Sequence, residues 1–216
     1  KHVITANKAL IAKHGDYLSL LAEKNNVNLE FEAAVGGGIP ILRTIKDGLS
    51  TNKINKVVGI LNGTCNYILS EMEFLKDSFS NVLKRAQSLG YAEPRNPKFD
   101  LNGQDALSKV KILSALAFNK KILKEKCLMN GIENIELDDI EMANKLNYRI
   151  KLLGITEIIN NQLFERVHPC LVKKNTYIGN VNGVMNAVIL EGKPVGERVL
   201  QGEGAGPGPT SSSLMS

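Results

Sequence analysis

The order of apolar and polar positions predicts alternating strands and helices from the first residues onward. Residues 1–7 (KHVITAN) carry β-branched side chains and predict a strand, and Lys8–Lys24 places its apolar residues at helical spacing. Val27–Ala34 alternates between apolar and polar residues, as a half-buried strand does. The opening of the chain therefore predicts a strand–helix–strand unit with a right-handed crossover.

The middle of the chain predicts helices around one buried strand. Pro40 opens a helix that continues to Leu49, and Lys53–Leu61 is an apolar run of strand length. Thr64 follows at a position where its hydroxyl can cap the next helix. Further helices are predicted at Phe79–Ser88, through Val110–Phe118 and at Asp138–Leu153, the last ended by Gly154.

The remainder of the chain predicts strands joined by tight turns. The strands are expected at Ile155–Ile159, Leu163–Val172, Val184–Leu190 and Gly196–Gln201, with turns at Asn160–Asn161 and Glu191–Pro194. We expect these strands to join the earlier ones in a mixed sheet flanked by helices. The predicted fold class is therefore α/β, or α+β.

Composition narrows the function classes. The 216 residues are 43% hydrophobic, which is enough for a core, and the net charge of +5 comes from scattered Lys and Arg without a basic or aromatic stripe. We therefore expect no nucleic-acid partner. Cys65, Cys127 and Cys170 share no metal-binding or disulfide spacing, which favours a reducing cytoplasm. No apolar run has membrane-spanning length and no signal peptide is recognisable, so a cytoplasmic protein without a membrane partner is expected.

A loop dense in carboxylates, Gly90–Gly103, precedes the helix predicted through residue 118. Gly90 stands where a helix C-terminus favours a left-handed residue, and the prolines of the loop predict an irregular path. Either Asp100 or Asn102 can cap the helix that follows. The loop is therefore expected to stay open and to point its polar side chains toward the start of that helix.

Asp105 and Lys109 lie four residues apart, so they share one face of the first two helical turns. Together with Glu93 and Asp100 they bring three carboxylates and one ammonium to a loop–helix junction. Such a set can bind an amino acid and move a proton. The same spacing is also typical of a solvent-exposed ion pair that only supports a helix, and spacing alone leaves both interpretations open.

Several segments in order resemble homoserine dehydrogenases, enzymes that interconvert aspartate 4-semialdehyde and homoserine with NAD(P)H. The matching segments are TANK at Thr5–Lys8, FEAAVGGGIP at Phe31–Pro40, GILNGTCNYI at Gly59–Ile68, GYAE at Gly90–Glu93, DALSK at Asp105–Lys109 and the tail from Gly202. The resemblance implies an NAD(P)-dependent oxidoreductase of threonine and methionine biosynthesis, acting on homoserine or aspartate semialdehyde.

The resemblance also implies roles for single residues. Lys109 would donate the proton, and Asp105 would orient it and contact the substrate. Glu93 would bind the substrate amino group. The further substrate contacts implied are Tyr91, Asp100 and Thr64. The residues implied near the cofactor, NADP or NAD, are Lys8, Gly90 and Gly206. A monovalent cation, sodium, would be held by the backbone carbonyls of Glu32, Val35, Gly37 and Ile39.

The same resemblance divides the chain. Residues 1–27 and 207–216 would be the remnant of a Rossmann-type nucleotide-binding domain, 28–40 and 155–206 a dimerisation region, and 41–154 the substrate-binding catalytic region. A homodimer is implied. Both ends look cut, because the chain starts at Lys1 directly in a predicted strand and stops at Ser216 within a Gly/Ala/Thr/Ser-rich segment. The glycine-rich dinucleotide turn of such domains is also not found before Lys1. We therefore expect the fragment by itself to be inactive.

Two other functions remain open from the sequence. A chain without the phosphate-binding turn could be a substrate-binding or dimerisation module with no catalysis. A second possibility is a semialdehyde dehydrogenase that uses Cys65 as its nucleophile. No histidine stands in a recognisable motif around Cys65, so we expect this residue to serve packing.

Overall fold

The computed structural model describes residues 1–122 and 127–216, in which helices and strands alternate. The strands are β1 Val3–Ile4, β2 Leu29–Glu30, β3 Lys53–Ile60, β4 Leu128–Met129, β5 Tyr148–Ile159, β6 Gln162–Lys173, β7 Met185–Lys193 and β8 Gly196–Glu203. The α-helices are α1 Lys8–Lys24, α2 Ile41–Arg43, α3 Gly63–Leu75, α4 Phe79–Ser88, α5 Lys98–Leu101, α6 Gln104–Phe118, α7 Leu137–Lys145 and α8 Pro207–Met215. Short 3₁₀ turns lie at Glu32–Ala34 and Ile178–Asn180, and a π turn at Thr44–Gly48.

The opening strand–helix–strand unit is confirmed. Strands β1 and β2 pair in parallel with α1 between them, and the Asn7 side chain caps α1 by accepting a hydrogen bond from the Leu10 amide at 3.0 Å. The predicted strand over Val27–Ala34 is too long, because the chain turns into a 3₁₀ helix at Glu32. These two strands also form a sheet of their own.

Within the described residues, six strands form the central sheet in the order β4-β6-β5-β3-β7-β8. Strands β4 and β6 run parallel and the other neighbours are antiparallel, so the predicted mixed sheet and α/β class are confirmed. Helices α3 and α6 bury their apolar sides against one face of the sheet and form the main core. A second, smaller apolar cluster lies on the opposite face, around Ile60, Leu153 and Ile155.

The predicted helix at Asp138–Leu153 is wrong in its second half. Helix α7 ends at Lys145, Asn147 adopts a left-handed conformation (φ 62°), and β5 then continues through Gly154 without a break. Twelve residues of β5 pair in register with β6, and this pairing outweighs the local helical spacing. Gly154 marks a close approach, since a Cβ there would lie 2.5 Å from the side chain of Val110 on α6.

The β5–β6 hairpin turn is confirmed, with Asn160 and Asn161 both left-handed (φ 50° and 65°), as a two-residue hairpin requires. The turn predicted at Glu191–Pro194 is displaced, because β7 extends to Lys193 and β8 begins at Gly196. The helix predicted from Pro40 to Leu49 begins as α2 and continues as the π turn.

Two helices lie in segments where the sequence pattern predicts none. Residues Lys98–Leu101 form the single turn α5 inside the carboxylate-rich loop, and the Gly/Pro/Ser-rich tail forms α8. Pro207 stands at the first position of α8, where its missing N–H costs nothing. In the described parts of the chain, the helices are too short or too polar to cross a membrane.

Candidate active site

A cleft of about 610 Å³ opens where the ends of several elements meet. Its walls come from the start of α1, the Gly36–Gly37 turn, the β3–α3 junction, the loop after α4, the first turns of α6 and the β8–α8 segment. The site residues predicted from the sequence that line this cleft are Lys8, Gly37, Thr64, Gly90, Tyr91, Asp100, Asp105, Lys109 and Gly206. The cleft thus joins residues separated by up to two hundred positions in the sequence.

Lys8, Asp105 and Lys109 form a charge cluster on the floor of the cleft, in which Asp105 and Lys109 are buried and Lys8 is partly exposed. Lys109 Nζ lies 2.8 Å from Asp105 Oδ2, and Lys8 Nζ lies 2.9 Å from Asp105 Oδ1. Lys109 Nζ also donates to the Leu61 carbonyl at 2.6 Å. Asp105 is 2% exposed and Lys109 7%, so the pair predicted at i, i+4 is an interior ion pair and not a solvated surface bridge.

The cluster fixes the protonation of Asp105. Burial alone would raise the pKa of this carboxyl, but the ammonium groups of Lys109 and Lys8 and their hydrogen bonds lower the pKa to about 2. Asp105 also stands in the first turn of α6, where the helix dipole favours a negative charge. The site therefore holds a permanent carboxylate that keeps two ammonium groups in fixed positions.

Asp100 has a different environment, although it lies in the same cleft. Burial raises the pKa of its carboxyl above the ordinary value, a hydrogen bond from Asn62 opposes this rise, and the negative charge of Asp105 adds to it. Asp100 does not cap α6; instead the Asn102 side chain accepts a hydrogen bond from the Gln104 amide at 2.9 Å. Gly103 is the N-cap of α6 and Asn102 lies one residue before it, so neither of the two residues predicted as alternatives for this cap holds the cap position.

Asn62 is a site residue that the sequence reasoning missed. It is the N-cap of α3, where its Oδ1 accepts from the Cys65 amide at 2.8 Å, and it is 5% exposed. Its Nδ2 donates to Asp100 Oδ1 and to Asp105 Oδ2, both at 2.8 Å. The available signal was an Asn at the end of a buried strand and directly before a helix.

The expectation that Thr64 caps α3 is wrong, because Asn62 occupies the cap and Thr64 is the second residue of the helix. The Thr64 hydroxyl instead donates to the Tyr91 carbonyl at 2.5 Å, and so ties α3 to the loop after α4. The Tyr91 ring lies 4.9 Å from the Tyr67 ring at an interplanar angle of 58°. Thr64 thus contributes to the cleft by holding the loop that carries Tyr91.

Gly90 and Glu93 lie in this loop but in different positions. Gly90 has a left-handed backbone (φ 76°), as expected after α4, and a Cβ there would meet no atom within 4 Å, so the loop leaves open space at the cleft. Glu93 is exposed and is not among the residues that line the cleft, although its carbonyl accepts from Gln87 Nε2 at 3.1 Å. The structure therefore brings Gly90 to the cleft and leaves Glu93 at its outside.

The glycine-rich tail packs against the glycine turn that follows β2. A Cβ at Gly37 would lie 2.7 Å from the carbonyl carbon of Gly204, which only glycine tolerates at this approach. The Ser213 hydroxyl donates to the Gly37 carbonyl at 2.7 Å, and the Gly38 amide donates to the Glu203 carbonyl at 3.3 Å. These contacts place the N-terminus of α8, with Gly206 before it, at the rim of the cleft.

The four carbonyls predicted to hold a cation are engaged to different degrees. The carbonyls of Glu32, Gly37 and Ile39 accept hydrogen bonds from the Val35 amide, the Ser213 hydroxyl and the Ile41 amide. A carbonyl has two lone pairs, so one acceptor position stays open on each. The carboxylate of Glu32 accepts from the Leu42 and Arg43 amides at 2.9 and 2.8 Å, and is thus committed to the start of α2.

Cys65 is unsuited to act as a nucleophile. It is completely buried, its thiol donates to the Asp100 carbonyl at 3.3 Å, and burial together with the charges of Asp100 and Asp105 raises its pKa well above the ordinary value. The packing role expected for this residue agrees with these contacts.

The mixed sheet, the glycine-lined cleft and the buried Asp105–Lys109 ion pair together have the features of an enzyme active site. A family model is more specific: the model described as homoserine dehydrogenase matches residues 40–216. The chain belongs to the homoserine dehydrogenase family.

The family assignment is supported by similar proteins that align with the whole chain. The chain is 47% identical over 215 residues to a homoserine dehydrogenase from Neisseria gonorrhoeae, and 48% identical over 216 residues to one from Helicobacter pylori. Both alignments cover 100% of this chain, but 49% and 51% of those relatives. The chain thus spans about half the length of the curated relatives it matches.

Solved structures show the same fold. A homoserine dehydrogenase from Thiobacillus denitrificans superposes with a TM-score of 0.96 at 47% identity, covering 99% of this chain and 49% of that one. A hyperthermophilic archaeal homoserine dehydrogenase in complex with NADPH superposes with a TM-score of 0.85 at 27% identity, covering 99% and 61%.

Proposed function

We propose that the full-length protein catalyses the NAD(P)-linked interconversion of L-aspartate 4-semialdehyde and L-homoserine. The observation that carries this proposal is the buried Asp105–Lys109 ion pair with Lys8 beside it, on the floor of a cleft large enough for substrate, in a chain of this family. The reaction belongs to threonine and methionine biosynthesis, and we place it in the cytoplasm.

The chemistry assigned to the cluster is proton transfer. NAD(P)H bound in the cleft would supply a hydride to the aldehyde carbon of the substrate. Lys109 donates a proton to the carbonyl oxygen as that oxygen gains negative charge, so that an alcohol forms and Lys109 is left as a neutral amine. Asp105 orients the Lys109 ammonium through the 2.8 Å ion pair at Oδ2. Lys8 forms an ion pair with the other carboxylate oxygen, Oδ1. In the reverse direction Lys109 accepts the proton.

Substrate recognition needs groups for an ammonium and for a carboxylate. Asp100 and Asp105 line the cleft and present carboxylates to the ammonium. The N-terminus of α3 lines the cleft at Gly63 and Thr64, and its first amides suit the substrate carboxylate. Tyr91 forms part of the cleft wall beside them. Glu93 keeps the role that the family resemblance gives it, as a ligand of the substrate amino group, and its variants test that role separately.

The glycine-rich walls support a dinucleotide at the rim of the cleft. Gly90 leaves open space, Gly206 precedes the N-terminus of α8, and Lys8 stands at the start of α1 after a parallel strand. A solved relative in complex with NADPH supports NADP as the cofactor, with NAD as the alternative. The residues present would hold the nicotinamide end, and residues 1–27 and 207–216 would belong to the nucleotide-binding domain.

We further propose a sodium ion at the carbonyls of Glu32, Val35, Gly37 and Ile39, and a homodimer formed through residues 28–40 and 155–206. The open acceptor positions of the carbonyls support the first proposal. Exposed apolar side chains within residues 155–206, among them Phe164, Leu171 and Tyr177, support the second. Residues 41–154 would then form the substrate-binding catalytic region. Activity measured with NaCl replaced by choline chloride, and sedimentation of the full-length protein, test these two points.

The main experiment is homoserine-dependent reduction of NADP⁺ and NAD⁺ by the full-length protein. We expect turnover, with Glu93→Gln raising the KM for homoserine more than it lowers kcat. The exposed variant Lys84→Ala serves as the control and should match the wild type. Absence of turnover with both cofactors in a folded full-length protein would contradict the proposal.

A further inference from the structure

We propose that Asn62 is a positioning residue that holds the carboxylates of Asp100 and Asp105 side by side by donating one carboxamide proton to each. This inference rests on the proposed function for its kinetic consequences, but its structural part can be tested without turnover. The two hydrogen bonds measure 2.8 Å each, and they reach across 38 and 43 residues of sequence. Asn62 is thereby the link between the β3–α3 turn, the α5 turn and the start of α6.

The orientation of the Asn62 carboxamide is determined by its surroundings. Its Oδ1 accepts from the Cys65 amide at 2.8 Å, and its Nδ2 faces the two carboxylates. The reverse orientation would place Oδ1 against two negatively charged groups and Nδ2 against an N–H donor. The acceptor and both donors of this side chain are therefore used in one arrangement only.

Capping alone does not explain an asparagine at this position. Ser, Thr and Asp cap helices about as well as Asn, since each offers an oxygen to the first free amides. Among these residues only Asn offers an acceptor together with two N–H donors on one planar group. A residue that caps α3 and also joins two carboxylates must therefore be asparagine, which assigns Asn62 a task beyond helix stability.

The charges around the two carboxylates show why such a link is needed. Asp105 faces the ammonium groups of Lys109 and Lys8 at ion-pair distance. Asp100 feels those two ammonium groups at longer range and the negative charge of Asp105, and the Cys65 thiol donates to its backbone carbonyl. Among the described residues, Asn62 is the side chain that hydrogen-bonds to the Asp100 carboxylate. Losing this contact would leave two like charges near each other without a shared donor.

The test uses Asn62→Ser in the full-length protein, since serine keeps a capping oxygen but cannot donate to both carboxylates. The readout is the titration of the side-chain carboxyl carbons of Asp100 and Asp105 by ¹³C NMR. We expect the Asp100 midpoint to rise by about one pH unit or more, because the charged form loses its hydrogen bond. The Asp105 midpoint should stay low, because both ammonium groups remain.

Two further variants separate positioning from folding. Ser78→Ala removes the N-cap of α4, where the Ser78 hydroxyl accepts from the Asn81 amide, and α4 carries no residue of the charge cluster. It should lower the melting temperature and leave the Asp100 titration unchanged. Asn62→Asp keeps the capping oxygen but removes both donors above the pKa of the introduced carboxyl. We expect its activity to recover as the pH falls and this carboxyl gains a proton that it can donate.

The kinetic expectation for Asn62→Ser is a loss of kcat/KM of about 10- to 100-fold, the range for a lost hydrogen bond to a charged group. In a plot of kcat/KM against pH, the acid limb of Asn62→Ser should shift to higher pH together with the Asp100 titration. Unchanged Asp100 titration, unchanged kcat/KM and an unchanged pH profile in Asn62→Ser would overturn the inference. If Asn62→Ser does not fold, the test passes to Asn62→Asp. A pH–activity profile of Asn62→Asp that runs parallel to that of the wild type would then overturn the inference.

The outcomes distinguish this inference from the proposed function. A wild-type protein without turnover, whose Asp100 midpoint nevertheless rises in Asn62→Ser, contradicts the function and supports the positioning of the carboxylates. A wild-type protein with normal turnover, whose Asn62→Ser variant behaves identically in both readouts, supports the function and contradicts the positioning role.

Discussion

Among the residues that the structure describes, two lysines are buried, Lys109 and Lys151, and their surroundings differ in kind. Lys109 lies at the floor of the cleft, paired with the Asp105 carboxylate at 2.8 Å. Lys151 lies on β5, only 1% exposed, and its ammonium donates to neutral oxygens: Val181 O at 2.6 Å, Asn66 Oδ1 at 3.0 Å, Asn182 Oδ1 at 3.1 Å and Ser70 Oγ at 3.5 Å. Both ammonium groups are thus buried, but Lys109 is paired with a carboxylate and Lys151 with neutral oxygens.

The difference shows what makes a buried lysine suitable for chemistry. At Lys151 burial and the nearby Arg149 guanidinium lower the pKa of the ammonium to about 8, with Glu73 opposing the change. Its partners close around it and join α3 to the turn before β7. At Lys109 the Asp105 carboxylate is the partner, and the side chain lines an open cleft where a ligand can reach it. We assign Lys151 to structure and Lys109 to proton transfer on this basis.

A large effect on this comparison is expected from removing the negative partner of Lys109. Asp105→Asn keeps the shape of the side chain but removes the charge that orients Lys109 and Lys8. We expect kcat of the full-length protein to fall by about 10²- to 10³-fold, within the range for disabling a positioned proton donor. Steady-state kinetics with homoserine measure the loss. A kcat of Asp105→Asn within twofold of the wild type would contradict the role of Asp105 in orienting Lys109.

A smaller effect, on stability alone, is expected at the other lysine. Lys151→Met keeps most of the volume but leaves several buried oxygens without a donor, and we expect it to lower the free energy of unfolding by about 3 kcal/mol. Urea unfolding measures this change. Below its melting temperature the variant should keep wild-type kcat, and a large loss of kcat without a loss of stability would show that the two lysines are not as different as described.

The ion pair should also appear in the acid dependence of stability. The folded pKa of Asp105 is about 2 against an ordinary value of 3.8, so its contribution is complete above about pH 4 and disappears as the pH falls through 2. The shift corresponds to about 2 kcal/mol. We therefore expect the difference in unfolding free energy between wild type and Asp105→Asn to shrink by that amount between pH 5 and pH 2. A constant difference would contradict the assigned pKa.

The smallest effect concerns the thiol next to the cluster. Cys65 is completely buried with a raised pKa, whereas Cys127 and Cys170 are partly exposed. Iodoacetamide at pH 8 should therefore leave Cys65 unmodified in the folded protein, as measured by mass spectrometry of peptides. Rapid modification of Cys65 with parallel loss of activity would instead favour the cysteine mechanism.

Much of the fold followed from local patterns. Helices α1 and α4 begin and end at the predicted residues, because their apolar spacing and flanking residues agree. The failure at β5 has a physical reason. Its residues carry helical spacing, and only the long pairing with β6, a nonlocal interaction, makes them a strand. The helix α8 was missed because its Gly, Pro and Ser residues have low helix propensity and depend on packing against the Gly37 turn.

In the candidate site too, local spacing predicted some features, and contacts between distant residues determined the others. The spacing of Asp105 and Lys109 predicted a shared helix face, but it could not show that the pair is buried or that Lys8 approaches from another element. Asn62 was missed because its partners are 38 and 43 residues away. Glu93, which the family resemblance placed on the substrate, lies outside the cleft lining, and its role stays a prediction.

The most direct test of the account is the kcat of Lys109→Met beside that of Lys151→Met in the full-length protein. The two substitutions make the same chemical change at two buried lysines. We predict a loss of about 10³-fold or more for Lys109→Met, with homoserine still bound, and a wild-type kcat for Lys151→Met. A Lys109→Met protein that turns over at the wild-type rate would contradict the assignment of Lys109 as the proton donor.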